Sequence, residues 1–88
     1  MKTLLIDGFH CQFSPQQLDL LMLLWNARGG VLHREVIADQ LWHPDRLPEQ
    51  YWRVIITLVK KLRDELAGTE FRIVTHHSLG YQLVRKDR

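Results

Sequence analysis

Apolar residues, most of them leucine, recur every three or four residues directly after Ser14-Pro15. This spacing predicts the first helix. Ser14 is suited to cap this helix and Pro15 to occupy its first turn, while Gln17 completes a capping box. The apolar stripe is wide, so the helix should be largely buried. Gly29-Gly30 then ends it.

Two further segments have helical periodicity. The shorter one covers about residues 34–42, and the longer one covers about residues 49–66 before Ala67-Gly68. Cations in the longer segment lie off its apolar stripe, so they are predicted to point outward. The expected core stripe of this third helix is Tyr51, Ile55, Val59 (or Leu58), Leu62 and Leu66.

Short alternating runs predict strands at both ends of the chain. Asp7-Gly8 is a strong turn dipeptide between two such runs, and residues 77–80 form the turn of a second hairpin. The predicted fold class is α+β: three helices, a short amino-terminal β-hairpin and a carboxyl-terminal hairpin. A helix able to enter a major groove beside a hairpin able to reach a minor groove is the plan of a winged helix-turn-helix. The predicted strands cover residues 3–6, 9–13, 31–32, 71–75 and 81–85.

Charge is distributed unevenly along the 88 residues, which we expect to form a single domain, residues 1–88. Four basic and six acidic side chains give residues 1–50 a net charge of −2. Eight basic and four acidic side chains give residues 51–88 a net charge of +4. The second half is where a polyanion would bind, although a solvated helix face and a basic tail are the alternative interpretation.

Several functional classes lack support in the sequence. No apolar run approaches the roughly 18 residues that a membrane helix needs, and the lone Cys11 favours a reducing, cytoplasmic setting. His76 and His77 should point to opposite faces of a strand, which argues against a metal site. No constellation supports catalysis, a cofactor or a small-molecule substrate. We therefore expect a protein that is not an enzyme.

Four motifs in matching order resemble the OmpR/PhoB-type winged-helix DNA-binding domain found at the carboxyl end of many response regulators. The resemblance covers about residues 13–84. The matching segments are residues 13–21 (FSPQQLDLL, similar to LTPTEFRLL), 29–42 (GGVLHREVIADQLW, similar to GRVVSREELLERVW), 53–66 (RVIITLVKKLRDEL, similar to RVVDVHISRLRRKL) and 73–83 (IVTHHSLGYQL, similar to IRTVRGVGYRL).

The resemblance implies a transcriptional regulator, or its DNA-binding module, that recognises duplex DNA by sequence. The third helix would lie in the major groove and the wing in the minor groove. Residues 43–50 match the family segment that can meet RNA polymerase. For Trp42, packing in the core is an alternative to a phosphate contact, and both can hold. The DNA-contacting residues carried over by position are Arg53, Thr57, Lys60, Lys61, Trp42, Thr75 and His77.

Some positions depart from the family pattern. Ile56 and Leu58 replace polar residues on the presumed recognition face, and His77 replaces a wing arginine. An apolar recognition face also suits protein binding. The alternative function is therefore a winged helix used for protein–protein interaction, with a homodimer mate or another protein, through Trp52, Ile56 and Leu58.

Overall fold

The structure of the chain, a computed structural model, describes residues 1–86; Asp87 and Arg88, two of the charges counted above, lie outside this range. The fold consists of three helices and two groups of antiparallel strands. The elements are β1 (Lys2–Ile6), β2 (Phe9–Phe13), α1 (Pro15–Asn26), β3 (Leu32–His33), α2 (Arg34–Trp42), α3 (Tyr51–Leu66), β4 (Phe71–His76) and β5 (Gly80–Arg85).

The strands form two separate sheets. β1 and β2 pair as an antiparallel hairpin, and β3, β5 and β4 form a three-stranded antiparallel sheet in that order. The hairpin of β4 and β5 is the wing, and β4 is an edge strand of its sheet. The predicted α+β winged-helix fold is confirmed.

The start of α1 follows the predicted capping box. The Ser14 hydroxyl accepts the backbone N–H of Gln17 at 3.2 Å, and the Gln17 side-chain oxygen accepts the backbone N–H of Ser14 at 2.9 Å. Two of the otherwise unpaired amide groups near the helix start are thereby satisfied. The helix ends at Asn26, and Gly29 adopts a φ of 82° in the turn that follows.

The core gathers apolar side chains from the three helices and from β2, β4 and β5. Helix α3 contributes most, because five of its side chains are buried at spacings of one, three or four residues. Each fully buried aliphatic side chain is worth about 1.5–3 kcal/mol, so these five determine which side of α3 faces solvent. They are Ile55, Leu58, Val59, Leu62 and Leu66.

Predicted boundaries were wrong by one or two residues in five elements. Strand β1 begins at Lys2 rather than residue 3, β4 ends at His76 rather than residue 75, and β5 begins at Gly80 rather than residue 81; α3 and β3 also differ. Helix α3 begins at Tyr51 rather than near Glu49, because Gln50 before it adopts a left-handed φ of 52°. Strand β3 occupies Leu32–His33 rather than residues 31–32, since its register is set by pairing with β5 and not by local apolar character.

Gly80, the last residue of the predicted wing turn, is required for space rather than for an unusual backbone conformation. Its φ does not lie in the left-handed region; instead, a Cβ atom at this position would stand 1.8 Å from the carbonyl oxygen of Leu32. The residue that takes the left-handed conformation is Ser78, at φ 61°. Gly80 therefore allows β3 and β5 to approach, while the strained turn position is occupied by a serine.

Candidate nucleic-acid interface

The outward side of α3 carries the four residues that the sequence assigned to it. Arg53, Thr57, Lys60 and Lys61 are all exposed, and their spacing of three or four residues places them on one side of the helix. The Thr57 hydroxyl donates to the carbonyl oxygen of Arg53 at 3.0 Å. With its hydroxyl hydrogen engaged inside the helix, Thr57 offers chiefly its methyl group and oxygen lone pairs to a ligand.

Leu58 does not belong to the exposed face, so its assignment to an apolar partner-binding patch was wrong. Only 8% of its surface is accessible, because it follows Ile55 by three residues and precedes Leu62 by four and therefore joins their buried stripe. Ile56 and Trp52, by contrast, are 54% and 42% exposed and lie one turn apart. The apolar surface of α3 is consequently smaller than predicted.

Trp42, the last residue of α2, is half buried and packs against the core. Part of its side chain remains accessible, which packing in the core combined with a phosphate contact would require. The other aromatic candidate, Trp52, makes an edge-on contact with Tyr51 at 5.6 Å between ring centroids. That contact orients the exposed indole at the start of α3.

The wing presents His77 at its turn and Thr75 on β4, and both residues are exposed. The Thr75 hydroxyl oxygen accepts a hydrogen bond from Nη2 of Arg63 at 2.7 Å. Sequence reasoning missed Arg63, although it follows Lys60 by three residues and so lies near the same side of α3. The structure thus joins the wing directly to the helix.

A second chain of hydrogen bonds holds the other side of the wing. The His76 ring and the Gln82 side-chain oxygen are 2.8 Å apart across the two strands, and the Gln82 amide donates to the carbonyl of Gly29 at 2.6 Å. The backbone N–H of Arg34 donates to the carbonyl of Leu79 at 3.0 Å. The wing turn is therefore tied to the turn after α1 and to the first residue of α2.

A concave surface of about 160 Å³ lies between α3, the start of α2 and the wing turn. Arg34 is the cation in its lining, a second residue that sequence reasoning missed because only the tertiary structure brings it beside the wing. Burial raises the pKa of Tyr81, against the opposing effects of Arg63 and Arg34. The residues forming this surface include Arg34, Ile56, Thr75, His77 and Tyr81.

The charge of the outward face is not uniform. Asp64 is exposed and lies one helical turn after Lys60, so a carboxylate interrupts the cations. It would oppose the approach of a phosphate to the carboxyl-terminal half of α3. Positive charge is thus concentrated between Arg53 and Lys61 and continues through Arg63 toward the wing.

The connection between α2 and α3 is open to contact. Residues 43–50 are exposed except for the half-buried Pro48, and 45% of the Leu47 surface is accessible. Because the segment directly precedes α3, a protein bound to it would lie beside the candidate interface.

Cys11 has an environment of a different kind. It is buried, and its thiol donates to the backbone carbonyl of Glu65 at 3.3 Å. Burial, followed by the negative charge of Glu65, raises the pKa of this thiol, so the unreactive protonated form is favoured. Cys11 is thus an apolar filler between β2 and α3. Within residues 1–86, no helix combines the length and apolar character needed to cross a bilayer.

The chain is similar to known regulatory proteins. The model of the family described as "Transcriptional regulatory protein, C terminal" matches residues 9–83. A response regulator, ArlR of Staphylococcus haemolyticus (strain JCSC1435), is 35% identical over 78 residues, which cover 86% of this chain. The same alignment covers 35% of that relative, so the chain spans about a third of its length.

Proposed function

Because this chain belongs to the family of transcriptional regulatory protein C-terminal domains, the OmpR/PhoB-type winged-helix regulators of transcription, we propose that it binds duplex DNA in a sequence-specific manner. Helix α3 enters the major groove and the wing turn reaches the adjacent minor groove. The observation that carries this proposal is the exposed group of cations on the outward side of α3, beside a wing that is hydrogen bonded to the same helix.

Each side chain of the interface suits a different part of the duplex. Lys60 and Lys61 can donate to guanine acceptors or neutralise phosphates, and the Thr57 methyl can contact a thymine methyl. Arg53, at the start of α3, is placed to bind a phosphate. These contacts would determine the orientation of the helix, whereas only those with base edges would select a sequence.

The wing side of the interface is less charged. His77 is the residue at the turn, and Thr75 offers a hydroxyl whose oxygen already accepts from Arg63. Its own hydrogen is then available for a phosphate oxygen. The accessible part of Trp42 and the cation Arg34 lie on α2, which borders the same surface. We include Arg34 and Trp42 among the residues that contact the phosphate backbone of the DNA.

Salt-dependent binding to duplex DNA tests this proposal. Substitution of both Lys60 and Lys61 by alanine should weaken binding and reduce the slope of log K against log salt by about 1.8, since each phosphate contact contributes roughly 0.9. A matched control removes two cations elsewhere, Lys2→Ala with Arg28→Asn, since asparagine tolerates the φ of 51° at position 28. The proposal is rejected if both double variants bind alike.

A second function is favoured by one observation, the exposure of Trp52 and Ile56 on adjacent turns of α3. We propose that these two residues form a small contact surface for another protein or a second copy of the chain. Ile56→Asp should then abolish association measured by analytical ultracentrifugation, while Leu47→Asp, a change of the same kind outside α3, should not. This function would be contradicted if the chain stayed monomeric at millimolar concentration and also bound no identified protein.

For residues 43–50 we propose contact with RNA polymerase, on the ground that this exposed segment carries an accessible leucine beside the DNA-binding helix. Leu47→Asp should reduce transcription in a reconstituted assay without changing DNA affinity. A parallel loss of affinity, or full transcription, would count against the contact.

A further inference from the structure

Arg63 connects helix α3 to the wing through two nitrogen atoms of its guanidinium group. Its Nε and Nη2 atoms donate to the backbone carbonyl of Ile73 at 3.1 and 2.8 Å, and Nη2 also donates to the Thr75 hydroxyl at 2.7 Å. Ile73 is buried and Thr75, two residues later on the same face of β4, is exposed, so the contacts attach both the buried and the exposed part of this face to α3.

The position of β4 explains why such a contact has consequences. β4 is an edge strand, and its carbonyl groups that do not face β5 need partners from elsewhere. The Ile73 carbonyl finds its partner in a side chain of α3. A planar guanidinium with two fixed donors determines an angle as well as a distance, which a lysine ammonium cannot do.

The same bonds orient a group that faces the candidate DNA surface. Since the Thr75 oxygen accepts from Arg63, the hydroxyl hydrogen is directed away from Arg63. Thr75 is exposed and lies two residues before His77 at the wing turn. The position of Arg63 therefore determines where the wing hydroxyl and the wing turn stand relative to Lys60 on α3.

We infer that Arg63 is a positioning residue, which fixes the wing relative to α3 so that the two elements meet neighbouring grooves in register. It acts through Ile73 and Thr75 and does not itself bind a phosphate. This inference rests on the proposed DNA binding for its functional consequence. The bridge itself exists in the free protein and is tested there independently.

The test uses Arg63→Gln and Arg63→Lys, with Lys61→Gln as the matched control for loss of one cation. Hydrogen exchange of the free protein should show faster amide exchange at residues 73–77 in both Arg63 variants. The exchange rate in Lys61→Gln should equal that of the wild type. Duplex DNA affinity should fall about ten- to 150-fold in both Arg63 variants, the range that corresponds to one lost hydrogen bond of a charged group.

The salt dependence separates positioning from direct contact. The slope of log K against log salt should stay at the wild-type value in both Arg63 variants and fall by about 0.9 in Lys61→Gln. A phosphate contact would instead lower the slope in Arg63→Gln and leave Arg63→Lys near wild-type affinity, and that result overturns the inference. Unchanged exchange at residues 73–77 also overturns it. If the wild-type chain ignores DNA, the proposed function fails, while the exchange experiment still decides whether the bridge holds the wing.

Discussion

Replacing Gly80 by alanine should separate β3 from β5, the wing strand with which it pairs. The added Cβ atom would lie 1.8 Å from the Leu32 oxygen, 2.7 Å from the Leu32 carbonyl carbon and 2.9 Å from Cα of His33. All three are backbone atoms, so no side-chain rotation can relieve the clash. The strands must move apart by more than an ångström.

The pairing of β3 with β5 involves only Leu32 with Tyr81 and His33 with Gly80, so it offers little resistance to this displacement. Overpacking of well-ordered sites costs about 1–3 kcal/mol, and a clash with backbone should stand near the upper limit. For a domain of this length, about 3 kcal/mol corresponds to a fall in Tm of roughly 12–24 °C.

Thermal unfolding monitored by circular dichroism measures this loss. Gly68→Ala is the matched control, because its Cβ would meet only the ring of Phe9 at 3.0 Å. That ring is 50% exposed and can shift, so the control should lose less than about 1 kcal/mol. If both variants unfold within a few degrees of each other, the close approach of β3 and β5 does not govern stability.

Three other changes test separate features of the chain. Ser78→Gly should raise the free energy of unfolding by up to about 1 kcal/mol in urea titrations, because glycine relieves the φ of 61° at a partial entropic cost; a loss of stability would contradict this. Asp64→Asn should strengthen DNA binding about two- to threefold at low salt, an effect of roughly 0.5 kcal/mol typical of exposed charges, with Asp19→Asn on α1 as the control that should change nothing. The raised pKa of Cys11 means that the folded state holds this proton more tightly than the unfolded chain, so the stability it contributes is complete below about pH 9 and is lost as pH rises further. Urea unfolding between pH 7.5 and 10 should therefore show a shallower alkaline decline in Cys11→Ala than in the wild type, and equal declines would refute the assignment.

Local signals along the chain predicted most of the architecture. The Ser14 capping box, the Asp7-Gly8 turn and the apolar stripe of α3 each act over four residues or fewer, and each was confirmed. Such features are encoded where they act, because they depend on backbone conformation and on the periodicity of one element.

The outward direction of Arg53, Lys60 and Lys61 was predicted correctly for the same reason, since the buried stripe leaves only one side of α3 exposed. Leu58 was predicted both as an alternative to Val59 in the core stripe and as part of the exposed apolar patch, and the structure buries Leu58 together with Val59. The spacing of Leu58 from Ile55 and Leu62 is that of one helix face, so the period alone favours the core position.

The chain by itself determined which segments become helices and strands and which side of each is apolar, because these properties follow from neighbouring residues. Only the tertiary structure decided that Arg63 reaches Ile73 and Thr75, that Arg34 stands beside the wing turn, and that Gly80 is needed for a close approach rather than for a turn. Each of these joins residues from different elements, and the distance between such residues is set by how the elements pack around the shared core, which no local pattern records.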